Sequence, residues 1–321
     1  MQKSEEVGVV QESESAEGRL HSFTVGICAT GKPPTLLPLL ETVLVSEAPG
    51  FSLRKVVLVA SDCSKDILRD TRKMAARDHR IVLIEHERRT GKADAINEVF
   101  RESEGEFLVY VNADALVRAS AILSLLKDME EDEGVGIISG RPVFERPKGL
   151  ISDVLDVMWT SHNLLSSDPS HRRQGNHGTD ELMVIRKELL PVLPPGVVND
   201  GAYIAARVKE RGFRVGYQPD AVVQIDVPRR MVDLIGQRRR ILFGHIQVKR
   251  LVGKAPRTVE TMMFFSPLKS VRIVIRMLAQ KPRRILVLPV AAVGELISVS
   301  GALWDTVFSA DHAVWKRYEQ G

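Results

Sequence analysis

The sequence is poor in cysteine and in aromatic residues, and each shortage closes off a class of protein. Two cysteines among 321 residues, Cys28 and Cys63, supply no disulfide framework. The fold must therefore be held by its core, and both thiols are expected to stay reduced and face the cytosol. Aromatic residues make up 5% of the chain and are sparse where basic residues are dense. That removes the stacking platforms on which single-stranded nucleic acid binding depends, and no nucleic-acid partner is expected. No apolar segment stands in the first twenty residues, so no cleaved signal peptide is expected; Met1 to His21 reads as a flexible acidic tail. Long apolar runs are missing too, with one exception near the C-terminus.

What is present is an alternation of short apolar runs and amphipathic stretches. Phe23 to Ala29, Val56 to Ala60, Arg80 to Ile84 and Phe107 to Val111 read as strands. Between them, helical spacing appears after Thr35, from Lys65 to Arg77 and from Ala93 to Phe100. The order β-α-β-α-β-α-β with short loops argues for a parallel sheet wound with helices, whose ligands gather at the C-terminal ends of the strands. Thr30, Asp62, Lys92 and Asp114 all fall near those ends. Phe107 to Val111 is apolar at every position, as suits a strand buried on both faces, and it stops at Asn112-Ala113-Asp114. Two readings stand for that tripeptide. Asn and Asp favour turns, and two oxygen ligands spaced i, i+2 can share a hard divalent cation.

Further on, Ala119 to Glu131 and Gly149 to Ser166 read as helices, and Val135 to Ser139 and Leu182 to Ile185 as strands. Asp200 precedes a helix that Gly212 closes; Arg214 to Tyr217 and Ala221 to Ile225 read as two short strands. His171 and His177 read as solvated loop residues rather than a metal pair. After Pro228 the texture changes. From Arg229 to Arg284 there are fifteen Lys and Arg against Asp233 and Glu260. Met231 to Leu251 and Met262 to Leu278 read as basic amphipathic helices, with Arg238 and Arg239 as a membrane-facing patch. Ile285 to Trp304 is an apolar run broken by Glu295. Its twenty residues suffice to cross a bilayer, but the carboxylate and the basic helices beside it suit a helix lying on the membrane surface equally well. Both modes stay open. Lys281, Arg283 and Arg284 would put the preceding end in the cytoplasm.

Five segments together resemble a known family. Val56 to Asp66 (VVLVASDCSKD) is similar to a strand followed by an acidic, Ser-rich nucleotide-binding turn. Thr90 to Asn97 (TGKADAIN), Gly105 to Val117 with its DxD-like Asn112 and Asp114, Gly212 to Val223 (GFRVGYQPDAVV) and the QxxRW-like Gln237 to Ile241 follow in order. Each is weak alone; their order is specific. The chain resembles a family 2 inverting glycosyltransferase of the GT-A fold, the group that holds cellulose and hyaluronan synthases. The resemblance runs from Phe23 to about Leu242.

The resemblance implies a mixed, mainly parallel α/β sheet wound with helices over residues 22–228. Basic interface helices carrying the QxxR motif would follow over 229–282, then an apolar helix and short tail over 283–321. It also implies a nucleotide-sugar donor, Mg2+ or Mn2+, a lipid-linked or polysaccharide acceptor, and a membrane surface or bilayer as partner, with the catalytic domain cytoplasmic. Thr30 and Asp62 would face the nucleoside and Lys92 the diphosphate. Asp114 with Asn112 would bind the metal, and Gln237 and Arg240 would close over the diphosphate and acceptor. Asp200 would be the catalytic base, with Asp180 and Glu181 as fallback carboxylates.

Three departures accompany the resemblance. Asn112 replaces an Asp, Ile241 replaces a Trp, and Gly201 stands where the family's base is expected, with Asp200 one residue early. A sugar-nucleotide-binding relative that supports a partner enzyme is the alternative these departures motivate; a nucleotidyltransferase is a third reading, which the QxxRW-like residues oppose.

Overall fold

A computed structural model describes residues 20–167, 178–256, 258, 261 and 266–312. Most of the N-terminal tail, and His171 and His177, lie outside the described residues. The core is an eight-stranded sheet in the order β3-β2-β1-β4-β7-β6-β8-β5. Its strands are β1 (His21–Gly31), β2 (Phe51–Cys63), β3 (Ile81–His86), β4 (Phe107–Asn112), β5 (Leu116–Val117), β6 (Val135–Phe144), β7 (Leu182–Arg186) and β8 (Arg214–Ile225). The pairs β1–β2, β2–β3, β1–β4 and β6–β8 are parallel. β7 runs antiparallel to both of its neighbours, β4 and β6. The sheet is therefore mixed and mainly parallel.

Helices α1 (Leu36–Leu44), α2 (Lys65–Arg77), α3 (Lys92–Glu102), α4 (Ala119–Glu131), α5 (Leu150–Ser166) and α6 (Asp200–Glu210) cover the two faces. One apolar cluster joins β1, β2 and β4 to α1 and α4; a second joins β4, β6 and β7 to α3 and α6. β4 feeds both, and its residues Phe107 to Val111 are buried throughout. That is why this strand carries no polar alternation. α3 lies very close to β1. A Cβ on Gly26 would sit 2.2 Å from Val99 Cγ1, so only glycine allows the approach that sets the start of α3 beside the strand ends.

β8 is one strand of twelve residues rather than two short ones. A register shift between Ser139 and Arg141 of β6 absorbs the irregularity around Pro219, and Gly140 lets the Ala221 carbonyl come within 2.5 Å of where a Cβ would be.

The C-terminal part holds α7 (Met231–Val252), α8 (Pro267–Gln280), a 3-10 turn at Pro282–Leu286 and α9 (Leu288–Val307). Asp156 of α5 pins this part to the domain: Arg284 Nε donates to its Oδ2 at 2.8 Å, Lys281 Nζ at 3.3 Å, and Arg146 donates to Oδ1 at 2.5 Å. Arg238 and Arg239 do not form an open basic patch. They pair with Glu295 and Asp305 of α9.

Gly26→Ala is expected to destabilise the fold by about 1–3 kcal/mol through overpacking of α3 on β1. Adding Val99→Ala should recover part of that loss, measured by urea denaturation. Strictly additive losses would show that the close approach is not what the glycine serves.

Candidate active site

The parallel strands β1, β2 and β4 end at one edge of the sheet. Because β7 is antiparallel, its beginning lies at that same edge. This brings Asp180 and Glu181 beside Asn112, whose N–H donates to the Glu181 carbonyl at 3.3 Å. The tripeptide at the end of β4 is a tight turn, closed by Ala115 N–H donating to the Asn112 carbonyl at 3.0 Å. Thr35, just ahead of α1, donates its hydroxyl to the Ala113 carbonyl at 2.7 Å and fixes that turn. The turn therefore lies at the edge where the parallel strands end. Asn112 is half-buried, and Asp114 is exposed.

Lys92, the first residue of α3, is the centre of the cluster. Its ammonium donates to Asp180 Oδ2 and lies 3.1 Å from Asp200 Oδ2. It stands 5.7 Å from the centroid of the buried Tyr110 ring, a cation–π distance. Three elements distant in sequence therefore meet on one cation. Burial disfavours the ammonium, but the two carboxylates outweigh it and hold Lys92 above the ordinary lysine range. For Asp180 burial is likewise outweighed, by Lys92, and its carboxyl is held low; the Asn112 side chain hydrogen-bonds to it as well. Asp200 goes the other way. Burial, then the neighbouring Asp180 charge, raise its pKa despite Lys92. Burial and Asp180 push Glu181 up to about 8, with Asp114 adding to the effect. The edge therefore carries more carboxylates than cations to balance them.

Asp200 is 4% exposed. It is not the helix cap. Asn199 caps α6, its Oδ1 accepting from Ala202 N–H at 3.1 Å. Position 201 cannot hold a larger residue without a shift, since a Cβ there would meet the Gly178 carbonyl oxygen at 2.6 Å. The carboxylate at 200 is thus the one that α6 delivers to this cluster.

The remaining expected residues are arranged around this group. Thr30, next to last in β1, has a buried hydroxyl with no hydrogen-bond partner among the described residues. Asp62 is an unpaired bulge residue near the end of β2, opposite the Thr30–Gly31 step, and it adopts φ 54°. A left-handed aspartate costs backbone energy and is found where its side chain is put to use. Its carboxylate accepts from Arg89 Nε at 3.0 Å. Sequence reasoning passed over Arg89 and Tyr110; the signal for Arg89 was its place in the loop just before Thr90-Gly91-Lys92.

Gln237 and Arg240 stand farther off, on α7. They share a helix face with Gly244, which packs against Asn199 so closely that a Cβ would lie 2.7 Å from Asn199 Cβ. Arg240 Nε donates to the His312 carbonyl at 3.4 Å. Among the described residues no three His, Cys, Asp or Glu side chains gather tightly enough to hold a metal alone. The donors at the edge are all oxygens carrying surplus negative charge, which fits a hard divalent cation that takes further ligands from a bound diphosphate. Cys28 is no nucleophile: burial pushes its thiol up to about 12.

Residues 24–191 match the model of glycosyl transferase family 2. The chain is 17% identical over 199 residues to a poly-beta-1,6-N-acetyl-D-glucosamine synthase of Staphylococcus aureus, covering 61% of this chain and 48% of that protein. It is 21% identical over 230 residues to an N-acetylglucosaminyltransferase of Bradyrhizobium diazoefficiens, covering 66% and 46%. The chain spans about half the length of these curated relatives. Among solved structures, a mannosyltransferase of Pyrobaculum calidifontis in complex with GDP-Man and Mn2+ superposes with a TM-score of 0.60 at 20% identity, over 94% of this chain and 92% of that one. GalNAc-T7 with UDP, GalNAc and Mn2+ gives 0.53 at 14% identity, over 73% and 48%. These likenesses identify the fold as GT-A.

Lys92→Met leaves the buried Asp200 and the half-buried Asp180 facing each other without a cation. It is expected to cost about 3 kcal/mol, the lower end for a buried pair that loses one partner. The folded-state pKa values of Asp180 and Asp200 would then lie above their unfolded values, so the variant's deficit should grow as pH rises through them and shrink below about pH 4. Thermal melts of variant and wild type from pH 8 to pH 4 measure this, and a deficit independent of pH would separate Lys92 from the carboxylates.

Proposed function

The chain belongs to glycosyl transferase family 2 and is a glycosyltransferase, and from that premise we propose that it moves a sugar from a nucleotide-diphosphate sugar to a lipid-linked or polysaccharide acceptor. Transfer inverts the anomeric carbon, is assisted by Mg2+ or Mn2+, and takes place at a membrane surface on the cytoplasmic side. The observation that carries the catalytic part is Asp200: a buried carboxylate of raised basicity, 3.1 Å from Lys92, at the edge where β4 ends.

In this reading Thr30 and Asp62 bind the nucleoside, which would supply a partner for the Thr30 hydroxyl once the side chain turns outward. Asn112 and Asp114 would hold the metal through oxygen, and the bound ion would offset the charge that develops on the departing diphosphate. The diphosphate also competes with Asp180 and Asp200 for the Lys92 ammonium. As Lys92 turns toward phosphate, Asp200 loses its counter-charge and becomes a stronger proton acceptor. The acceptor hydroxyl oxygen attacks the anomeric carbon from the face opposite the diphosphate. The new C–O bond forms as the bond to the diphosphate oxygen breaks, and the hydroxyl proton passes to Asp200. Gln237 and Arg240 close over the diphosphate and acceptor from α7, whose Gly244 already touches the start of α6. The lipid-linked or polysaccharide acceptor is supported by the apolar C-terminal helix and by the poly-N-acetylglucosamine synthase among the relatives.

The test is release of nucleoside diphosphate from a panel of UDP- and GDP-sugars in the presence of Mn2+. Asp200→Asn should lower kcat by about 10²–10⁴-fold, the usual weight of a general base, while donor binding read by thermal shift is retained. If Asp200→Asn turns over like wild type, Asp200 is not the base. If no donor is either bound or cleaved, the donor reading fails as well.

A further inference from the structure

The C-terminal helix α9 is long and apolar enough to cross a bilayer, yet the polarity of its two sides is inverted relative to a helix on a water-soluble surface. Its first turn packs Leu288, Val290 and Ala291 on an apolar cluster of α5 and α7, but beyond Gly294 the inner stripe is small and polar: Ser298, Ala302 and Asp305 are buried against the protein. Its outer side carries large apolar groups, among them Leu296, Ile297, Trp304, Val307 and Phe308, each at least half exposed. A face of this kind is costly in water and marks an interaction surface.

The partner of α9 decides how that surface can be used. α7 and α9 lie side by side and run in the same direction. Met231 approaches Gly294, Ser298 Oγ donates to the Ile235 carbonyl at 3.4 Å, and Arg239 packs on Gly301. Arg238 donates to Glu295 at 3.1 and 2.8 Å, and Arg239 to Asp305. α7 is in turn fastened to the catalytic domain. Gly244 abuts Asn199, and Gln247 accepts from Val198 N–H and donates to the Gly196 carbonyl, both at 2.9 Å. If α9 crossed a bilayer end to end, its parallel neighbour would be drawn in with it, and Arg238 and Arg239 would enter hydrocarbon together with Glu295 and Asp305.

We propose that α9 lies in the plane of the membrane, its outer apolar face sunk into one leaflet of anionic lipid and both of its ends on the same side. This deepens the membrane part of the proposed function and is independent of the catalytic part. Charge complementarity selects the occupant. The segment from Arg229 to Arg284 has a large cationic excess, and Lys269, Arg272 and Arg283 are exposed along α8 and the turn that leads into α9. Arg283 leads directly into the exposed apolar face and Lys269 and Arg272 add cations on the preceding helix, a combination that matches a leaflet of acidic phospholipid, where cations meet headgroups and apolar side chains enter the acyl boundary.

The full chain is tested by flotation with vesicles of phosphatidylcholine containing about 30% phosphatidylglycerol, beside vesicles of phosphatidylcholine alone. Binding should be strong to the first and at least about tenfold weaker to the second. Ile297→Glu with Trp304→Glu, both on the outer face, should abolish flotation while melting temperature and nucleoside-diphosphate binding are kept. Topology is read with single cysteines at Arg283→Cys and Ser309→Cys, on either side of α9, against an unsubstituted control. An impermeant maleimide should label both in inverted membrane vesicles from expressing cells and neither in intact spheroplasts. Labelling of one end in each preparation makes α9 a span and overturns the proposal. So does failure to float on either vesicle, and a dimer seen by light scattering in that case would assign the face to a second copy of the chain. Failed flotation with intact donor cleavage would leave the catalytic reading standing, and the reverse result would leave this one.

Discussion

One ammonium group organises the site. Lys92 stands at the start of α3 and meets Asp180 from the beginning of β7 and Asp200 from the beginning of α6. Without it, those two carboxylates would have to share a buried space with like charge opposed to like. With it, three segments that already share an apolar cluster also meet at one charge. In the proposed function the same cation meets the diphosphate, so the interaction that joins these segments is also the one that substrate binding is proposed to rearrange. Lysine suits this double duty. It is a compact point charge on a flexible stem and can exchange one anionic partner for another.

Lys92 can act this way because of sheet topology. In a purely parallel sheet the strand after β4 would start at the opposite edge, away from the ligand-bearing ends. β7 reverses direction against both β4 and β6. The two acidic residues that precede it therefore arrive where β1, β2 and β4 finish. Strand direction leaves no mark on local periodicity, and Leu182 to Ile185 reads as the same short apolar run whichever way it points. That is why the strand was legible in the sequence and the position of Asp180 was not. Likewise Lys92 was legible as a residue at the strand-end edge, while its partners, 88 and 108 residues further along the chain, were beyond any local pattern.

The C-terminal helices repeat the lesson. Glu295 stood out in the sequence as a charge interrupting an apolar run, and Arg238 and Arg239 as a basic patch. Neither feature alone reveals that each is the other's partner. Helical spacing places Glu295, Ser298, Ala302 and Asp305 on one face, but only the packing shows that this polar face is the inner one. What sequence periodicity yields is the existence of two faces; which of them is covered depends on what the rest of the chain brings alongside. The boundary errors have ordinary causes. Two predicted strands merge into β8 because pairing with β6 resumes after a bulge in β8, four residues from Gln218 to Ala221 standing opposite Gly140.

The departures from the family pattern bear on whether this is a working site or a decayed one. Asn112 and Gly201 stand where aspartates are expected, and both face the same short segment, Gly178 to Asp180. The Asn112 amide hydrogen-bonds the Asp180 carboxylate; an aspartate at 112 would present another negative charge to it, on an edge already rich in carboxylates. Gly201 leaves room for the Gly178 carbonyl, which any Cβ would meet at 2.6 Å. Random loss of function has no reason to place its substitutions against one segment or to leave each with a fitting neighbour. Asp180 accounts for the neutral residue at 112, and the carbonyl of Gly178 accounts for the glycine at 201. Asp200, one residue earlier, still reaches the cluster from the first turn of α6. Both departures therefore lie against one segment, Gly178 to Asp180, and the carboxylate that the first turn of α6 brings to Lys92 is that of Asp200.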